Sequence, residues 1–293
     1  MKNPVTTAAG TFGDGTPFKD FIDVPRLGAI IVKGASLEPW NGNPPHRIVE
    51  TPSGMLNTIG LQNYGVEVFI QKQLPTLKTY GIPIIVGIFD KIADNYARVA
   101  KRLNKCPGIS GLEINLSCPN IEAGGRTFCD YPELVFEVIK KMREETDLPL
   151  IAKLSPNTTD VVDIAQAAKK AGANGLSLIN TLVGMRINIE TRKPYLSKNT
   201  GGLSGPAIRP VAIAKVFSVA KARLGLPILG MGGIESGDDA IEFLLAGATA
   251  VAVGTANFVN PRATILVLEG IENYMKKHSI DDVNALIGSV EPF

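Results

Sequence analysis

The residues best equipped for chemistry cluster in one stretch, Gly111–Asn120 (GLEINLSCPN). There Leu112, Ile114 and Leu116 alternate with Glu113 and Asn115. The alternation reads as a buried strand, and the strand ends by presenting Asn115, Ser117, Cys118 and Asn120 within six residues. Pro119 biases Cys118 toward extended backbone, and Gly124-Gly125 frees the chain that follows, so a reactive group under a mobile loop over about residues 117–130 is expected. A thiol with an ordinary pKa near ~8.5 serves as a general base around neutral pH when lysines or hydrogen bonds favour the thiolate. Cys106, between a helix and a strand, and Cys129, late in the loop, lack that setting and read as incidental.

Two lysines stand at the ends of apolar runs, Lys33 in IIVKG and Lys153 in IAKLS. Each fits a Schiff-base amine, which needs a desolvated setting and a carbonyl substrate, or a fixed cation beside an electron-rich ring. Asn57, Asn115, Asn120 and Asn180, with Thr181, offer donors and acceptors suited to a substrate rich in amide and carboxylate groups. Gly232-Gly233 and Gly254-Thr255 each precede a helix and form candidate phosphate sites. Gly201–Ala207 reads equally as a flexible loop or as further surface for a phosphate tail. The two histidines, His46 and His278, lie away from strand ends, which disfavours a Ser–His–Asp hydrolase and a multi-histidine metal site.

Positioning these groups requires a repeating scaffold. Strand-like runs are expected at Asn3–Gly10, Ala29–Lys33, Ile82–Phe89, Gly111–Ser117, Leu148–Ser155, Gly175–Asn180, Leu226–Met231 and Ala248–Gly254. Helical patterns separate the later ones, at Asp90–Leu103, Pro132–Thr146, Asp160–Ala171, Pro206–Leu224, Gly237–Ala246 and Arg262–His278. Residues 34–65 show no sustained period. Near-continuous apolar strands alternating with helices imply parallel pairing, and eight units imply an α/β fold of the (β/α)8 TIM-barrel type, a single domain over residues 1–293. The active site is then expected at the C-terminal face of the strands. An open doubly wound sheet is disfavoured because GMGGIE lacks the third glycine of a dinucleotide fingerprint.

Composition bounds the rest. Lys and Arg exceed Asp and Glu by only two in 293 residues, with no basic run, so neither nucleic acid nor an anionic membrane is an expected partner. No apolar run reaches the ~20 residues of a membrane span. An odd number of cysteines, three, with no metal-type spacing and no signal peptide ahead of them, reads as reduced thiols in the cytoplasm.

Taken together, NPVTTAAGTFG, IIVKG, SGMLNTIGLQN, EINLSCPN, IAKLSPN, LINTLVGMR, TGGLSGPAIRP, GMGGI and AVAVGTANF resemble the class 1 dihydroorotate dehydrogenases, most closely the class 1B catalytic subunit. The resemblance covers almost the whole chain. It implies a flavin-dependent oxidation of (S)-dihydroorotate to orotate in pyrimidine biosynthesis, with Cys118 taking the C5 proton and the C6 hydride passing to N5 of FMN. It implies substrate contacts at Lys33, Asn57, Thr58, Ile59, Gly60, Leu61, Asn115, Asn120, Asn180 and Thr181. For FMN it implies Ala9, Lys33, Gly34, Gly87, Asn115, Lys153, Ile179, Gly205, Gly232, Gly233, Gly254 and Thr255. It further implies a homodimer core joined in a heterotetramer to a subunit carrying FAD and a [2Fe-2S] cluster, through which electrons reach NAD; three cysteines cannot build that cluster here. The departures are Ala9 where the family usually has serine, Cys129 where glycine is frequent, and the lack of the family's short hairpin before NPV, which implies a shortened start or an open barrel floor. Alternatives are a fumarate-using class 1A enzyme, a related dihydropyrimidine oxidoreductase, a Schiff-base aldolase or isomerase on the same barrel, or a relative that binds flavin or orotate without turnover.

Overall fold

A computed structural model describes residues 1–117 and 127–291. Its main sheet comprises β1 (Val5–Thr7), β2 (Ile30–Ala35), β5 (Ile84–Ile88), β6 (Ile109–Asn115), β7 (Leu150–Leu154), β8 (Gly175–Leu178), β13 (Ile228–Met231) and β14 (Ala250–Val253). These eight pair in parallel, in the order β1-β14-β13-β8-β7-β6-β5-β2. The ends of that order meet. Thr6 bridges Ala29 in parallel, and the Gly28 amide donates to the Val5 carbonyl at 2.9 Å. The buried Thr7 hydroxyl accepts from the Ile31 amide at 3.0 Å and donates to the Ile31 carbonyl at 3.2 Å, so a side chain completes the seam. The chain is a (β/α)8 barrel.

Strand alternation divides the core in two. Outward positions such as Val32, Val86, Ile114, Ala152 and Leu178 join the large cluster shared with the helices, whereas Ala8, Ala29, Ile31, Ile85, Leu229, Met231, Ala250 and Ala252 pack inside the barrel. The helices bury one stripe each. In α3 (Ala93–Asn104) the fully buried Ala93, Tyr96, Val99, Ala100 and Leu103 keep helical spacing. Likewise α4 (Pro132–Glu145), α5 (Val161–Lys170), α6 (Arg209–Lys221), α7 (Gly237–Leu245) and α9 (Ala263–Lys277) follow their strands, with the short α8 (Ala256–Val259) after β14. Every expected helix and strand is present, most trimmed by one to three residues at an end.

Three expectations need correction. The stretch 34–65 is not irregular throughout: it holds a hairpin of β3 (Ile48–Thr51) and β4 (Gly54–Asn57). The segment Gly201–Ala207 is no flexible loop, since β12 (Thr200–Ser204) pairs with both β4 and β9 (Leu182–Met185) to form a four-stranded antiparallel sheet. Glycines at 201 and 202 hid this strand by lowering its propensity, yet a Cβ at Gly202 would lie 2.1 Å from the Thr181 hydroxyl, so tertiary crowding demands the glycine. A two-strand ribbon, β10 (Ile187–Asn188) with β11 (Lys193–Pro194), extends the same insertion. Finally, the second barrel unit has a helix that the sequence pattern missed: α1 (Gly65–Val68) runs through a π turn over Phe69–Gln73 into α2 (Leu74–Lys78). Pro75 disguised it, but proline is tolerated there because the turn re-registers the hydrogen bonds just before it.

Candidate active site

At the C-terminal ends of the barrel strands, between them and the four-stranded sheet, lies a cleft of about 1190 Å³. Its walls gather residues from throughout the chain: Ala9, Lys33, Gly34, Asn57–Leu61, Gly87, Asn115, Lys153, Ile179, Asn180, Thr181, Gly205, Gly232, Gly233, Gly254 and Thr255 all line it. Cys118 and Asn120 lie outside the described residues, as does the middle of the expected 117–130 loop. Residues Phe128–Asp130 form a 3-10 turn with Phe128 and Cys129 fully buried. Burial pushes the Cys129 thiol up to about 12, and its sulfur accepts from the Ser155 amide at 3.1 Å, which makes it a packing residue.

The end of β6 is held from several sides. Tyr96, buried on α3, donates its hydroxyl to the Asn115 carbonyl at 2.7 Å. The Asn115 side-chain oxygen accepts from the Ser117 amide at 3.1 Å and from Asn180 Nδ2 at 3.1 Å, while Asn180 Nδ2 also donates to Ser117 Oγ at 3.0 Å. Asn180 Oδ1 in turn accepts from the Thr181 amide at 2.9 Å. Two strand ends far apart in sequence therefore present one connected set of amides and a hydroxyl.

Charge sits below them. Lys153 is 7% exposed and its Nζ lies 3.4 Å from Glu113 Oε2. Lys33 shares the cleft, and burial, then the neighbouring Lys153, lowers its pKa from the ordinary lysine range. On the opposite side, Gly205, Gly232 and Gly233 form a bare backbone corner: Gly233 has φ +77°, and a Cβ there would meet the Gly205 carbonyl oxygen at 2.8 Å. Asp239 on α7 fixes this corner. Its carboxylate accepts from the amides of Glu235 and Ser236, both at 2.9 Å, and from Arg209, while Ser236 caps the helix. Gly34 and Gly87 serve the scaffold as well, since a Cβ on Gly87 would fall 2.9 Å from Gly34 Cα, where β2 and β5 come close.

The dihydroorotate dehydrogenase family model matches residues 1–275. The chain is 52% identical over 290 residues to the protein named dihydroorotate dehydrogenase B (NAD(+)), catalytic subunit, of Geotalea uraniireducens (strain Rf4), covering 99% of this chain and 95% of that one. It is 53% identical over 290 residues to the protein of the same name from Alkaliphilus metalliredigens (strain QYMF), with the same coverages. The chain belongs to the dihydroorotate dehydrogenase family. Within this family member, residues that sequence reasoning passed over also reach the cleft. Asn157 donates to Ser155 Oγ at 3.1 Å and to the Thr181 carbonyl at 3.0 Å, tying two strand ends. Ser204 accepts from Thr255 at 2.8 Å. Glu113 had a legible signal, because it shares the strand parity of Asn115. Asn157 and Ser204 had none: Asn157 is a polar loop residue like many others, and Ser204 ends a strand whose glycines concealed it. Among the described residues no group of His, Cys, Asp and Glu could hold a metal ion, and no helix is long and apolar enough to cross a membrane.

Proposed function

We propose that this chain is the catalytic subunit of an NAD-linked, cytoplasmic dihydroorotate dehydrogenase that oxidises (S)-dihydroorotate to orotate in pyrimidine biosynthesis. The observation that carries the reading is the gathering of Lys33, Asn57, Asn115, Lys153 and Asn180 in one cleft of a chain matching the family over nearly its full length.

FMN fits this cleft. The volume exceeds the ~300–1,000 Å³ of a typical small-molecule pocket and leaves room for a mononucleotide and a substrate ring. The Gly205–Gly233 corner excludes side chains where a phosphate would take backbone N–H groups, and Lys153 offers a cation within the barrel mouth. When bound, FMN supplies the acceptor for the electron pair that leaves C6 of the substrate. Ala9, Lys33, Gly34, Gly87, Asn115, Ile179, Gly254 and Thr255 would complete its contacts.

The chain's own residues would do the rest. Lys33 supplies positive charge for the substrate carboxylate, and Asn57, Asn115, Asn120 and Asn180 match the ring's alternating N–H and C=O groups, with Thr58–Leu61 and Thr181 beside them. Cys118 takes the proton from C5 as the C5=C6 double bond forms. The ion pair to Glu113 counts against a Schiff-base role for Lys153, because a nucleophilic amine must be unprotonated. The words "NAD(+)" and "subunit" in the relatives' name support a second protein that carries electrons onward to NAD; that protein would do so with FAD and a [2Fe-2S] cluster. Substrate-linked assembly would then be a heterotetramer around a homodimer core.

The test is spectroscopic. The purified chain should take up FMN, and anaerobic dihydroorotate should bleach it. Cys118→Ala should keep FMN but slow bleaching by about 10²-fold or more. A chain that takes up no FMN, or whose FMN is not bleached, refutes the reading; a Cys118→Ala variant with wild-type bleaching refutes the assignment of the base. Reduction of NAD should require the co-expressed partner, and fumarate should not substitute.

A further inference from the structure

Below the polar strand ends, the barrel encloses a carboxylate that the proposed chemistry leaves unused. Glu113 on β6 is 1% exposed, with Oε2 facing Lys153 Nζ at 3.4 Å and Oε1 buried without a hydrogen-bond partner. Lys153 stands opposite Ser177 in the β7–β8 register, and the Ser177 hydroxyl is likewise buried and unpartnered. Strands β1, β5, β8, β13 and β14 contain no charged residue. The other charged residues lining the cleft among those described, Lys198 and Glu235, are exposed and screened by water. Among the described residues the interior therefore holds two lysines, Lys33 and Lys153, and a single carboxylate.

We propose that Glu113 is a positioning residue, the counter-charge that lets Lys33 and Lys153 occupy the barrel mouth together as cations. This rests on the FMN reading above for its consequence, though not for its electrostatics. An ammonium group removed from water is stable only near an opposite charge, and a like charge close by makes it less so. Lys33 already feels both burial and Lys153. Neutralising Glu113 leaves two like charges in a poorly hydrated interior, and loss of one proton is the least costly relief. Lys33, whose proton is already weakened, is the group expected to release it. The cleft then exchanges a cation for a neutral amine as pH rises, and its grip on an anion falls with it.

Glu113→Gln tests this in two ways. In the FMN-loaded chain, orotate binding followed by the flavin spectrum should weaken by about tenfold or more between about pH 6 and pH 9, against less than about threefold for wild type and for Glu113→Asp. In the chain without FMN, the melting deficit of Glu113→Gln relative to wild type should shrink as pH rises from about 6 to about 10. The sign follows because a lysine with a lowered folded pKa binds fewer protons in the native than in the unfolded state, so stability rises with pH. A purely structural role for Glu113 gives a deficit that does not change with pH. Should Glu113→Gln fail to fold, Glu113→Gln with Lys153→Met removes both charges and should restore folding. A double variant no more stable than the single one overturns the proposal, as does a Glu113→Gln orotate profile that tracks wild type at every pH. If wild type takes up no FMN, the functional reading fails, while the melting series still decides the role of Glu113.

Discussion

Asp239→Ala should weaken the enzyme at two levels at once, because one carboxylate both starts α7 and pins the loop after β13. It accepts from the Glu235 and Ser236 amides at 2.9 Å each and from Arg209, and it is 8% exposed. Loss of the capping box costs about 1 kcal/mol. The remaining charge-assisted bond to a loop amide adds about 1.5 kcal/mol, and the Arg209 pair, one-third exposed on the arginine side, adds about 0.5 kcal/mol after discounting for solvent. The total is about 3 kcal/mol. With an unfolding entropy of about 2.1 cal/mol/K per residue, a chain of this length loses about 5 °C in melting temperature. Because the same bonds hold the backbone beside Gly232 and Gly233, FMN affinity should fall about tenfold or more as the loop becomes costly to order. Calorimetry and fluorescence titration of FMN read the two effects. Asp239→Asn, which keeps an oxygen for the amides, should lose less of both. A variant Asp239→Ala that melts within about 1 °C of wild type and binds FMN equally would show that the loop is held by its own glycines and neighbours, and the account of this corner would be wrong.

Lys33→Met should stabilise the protein without FMN at neutral pH, since it removes a cation whose folded pKa is lowered by burial and by Lys153. The destabilising effect of Lys33 is present below its lowered folded pKa and fades as pH rises toward the unfolded value near ~10.4, so the variant's advantage should shrink over that range in a series of thermal melts. Orotate binding should be lost in the same variant at every pH. Gly237→Ala should cost about 2 kcal/mol, or about 3 °C, because its Cβ would lie 2.5 Å from Gly270 where α7 crosses α9. FMN affinity should stay unchanged there, which separates scaffold damage from site damage.

The barrel was legible because its strands are apolar on both faces, the mark of a sheet covered by helices outside and packed within. Two devices misled. Pro75 broke the helical pattern of α1 and α2, and only the π turn before it shows how the helix continues. Gly201 and Gly202 suppressed the signal of β12, although the strand needs them to pass Thr181 and Leu196. Local propensity reports what a segment prefers alone, and here crowding from residues distant in sequence decided otherwise.

The division at the site follows the same physics. Which residues line the cleft was legible in the sequence, because Lys33, Asn115, Lys153 and Asn180 stand at the ends of apolar runs that read as barrel strands, and a barrel turns all such ends to one face. What each residue touches was decided by the tertiary structure alone. The pairing of Lys153 with Glu113, the weakened proton on Lys33 and the Asn115–Asn180–Ser117 network all join different strands. Pairing across strands depends on barrel register and closure, and those are properties of the folded whole that no single segment encodes.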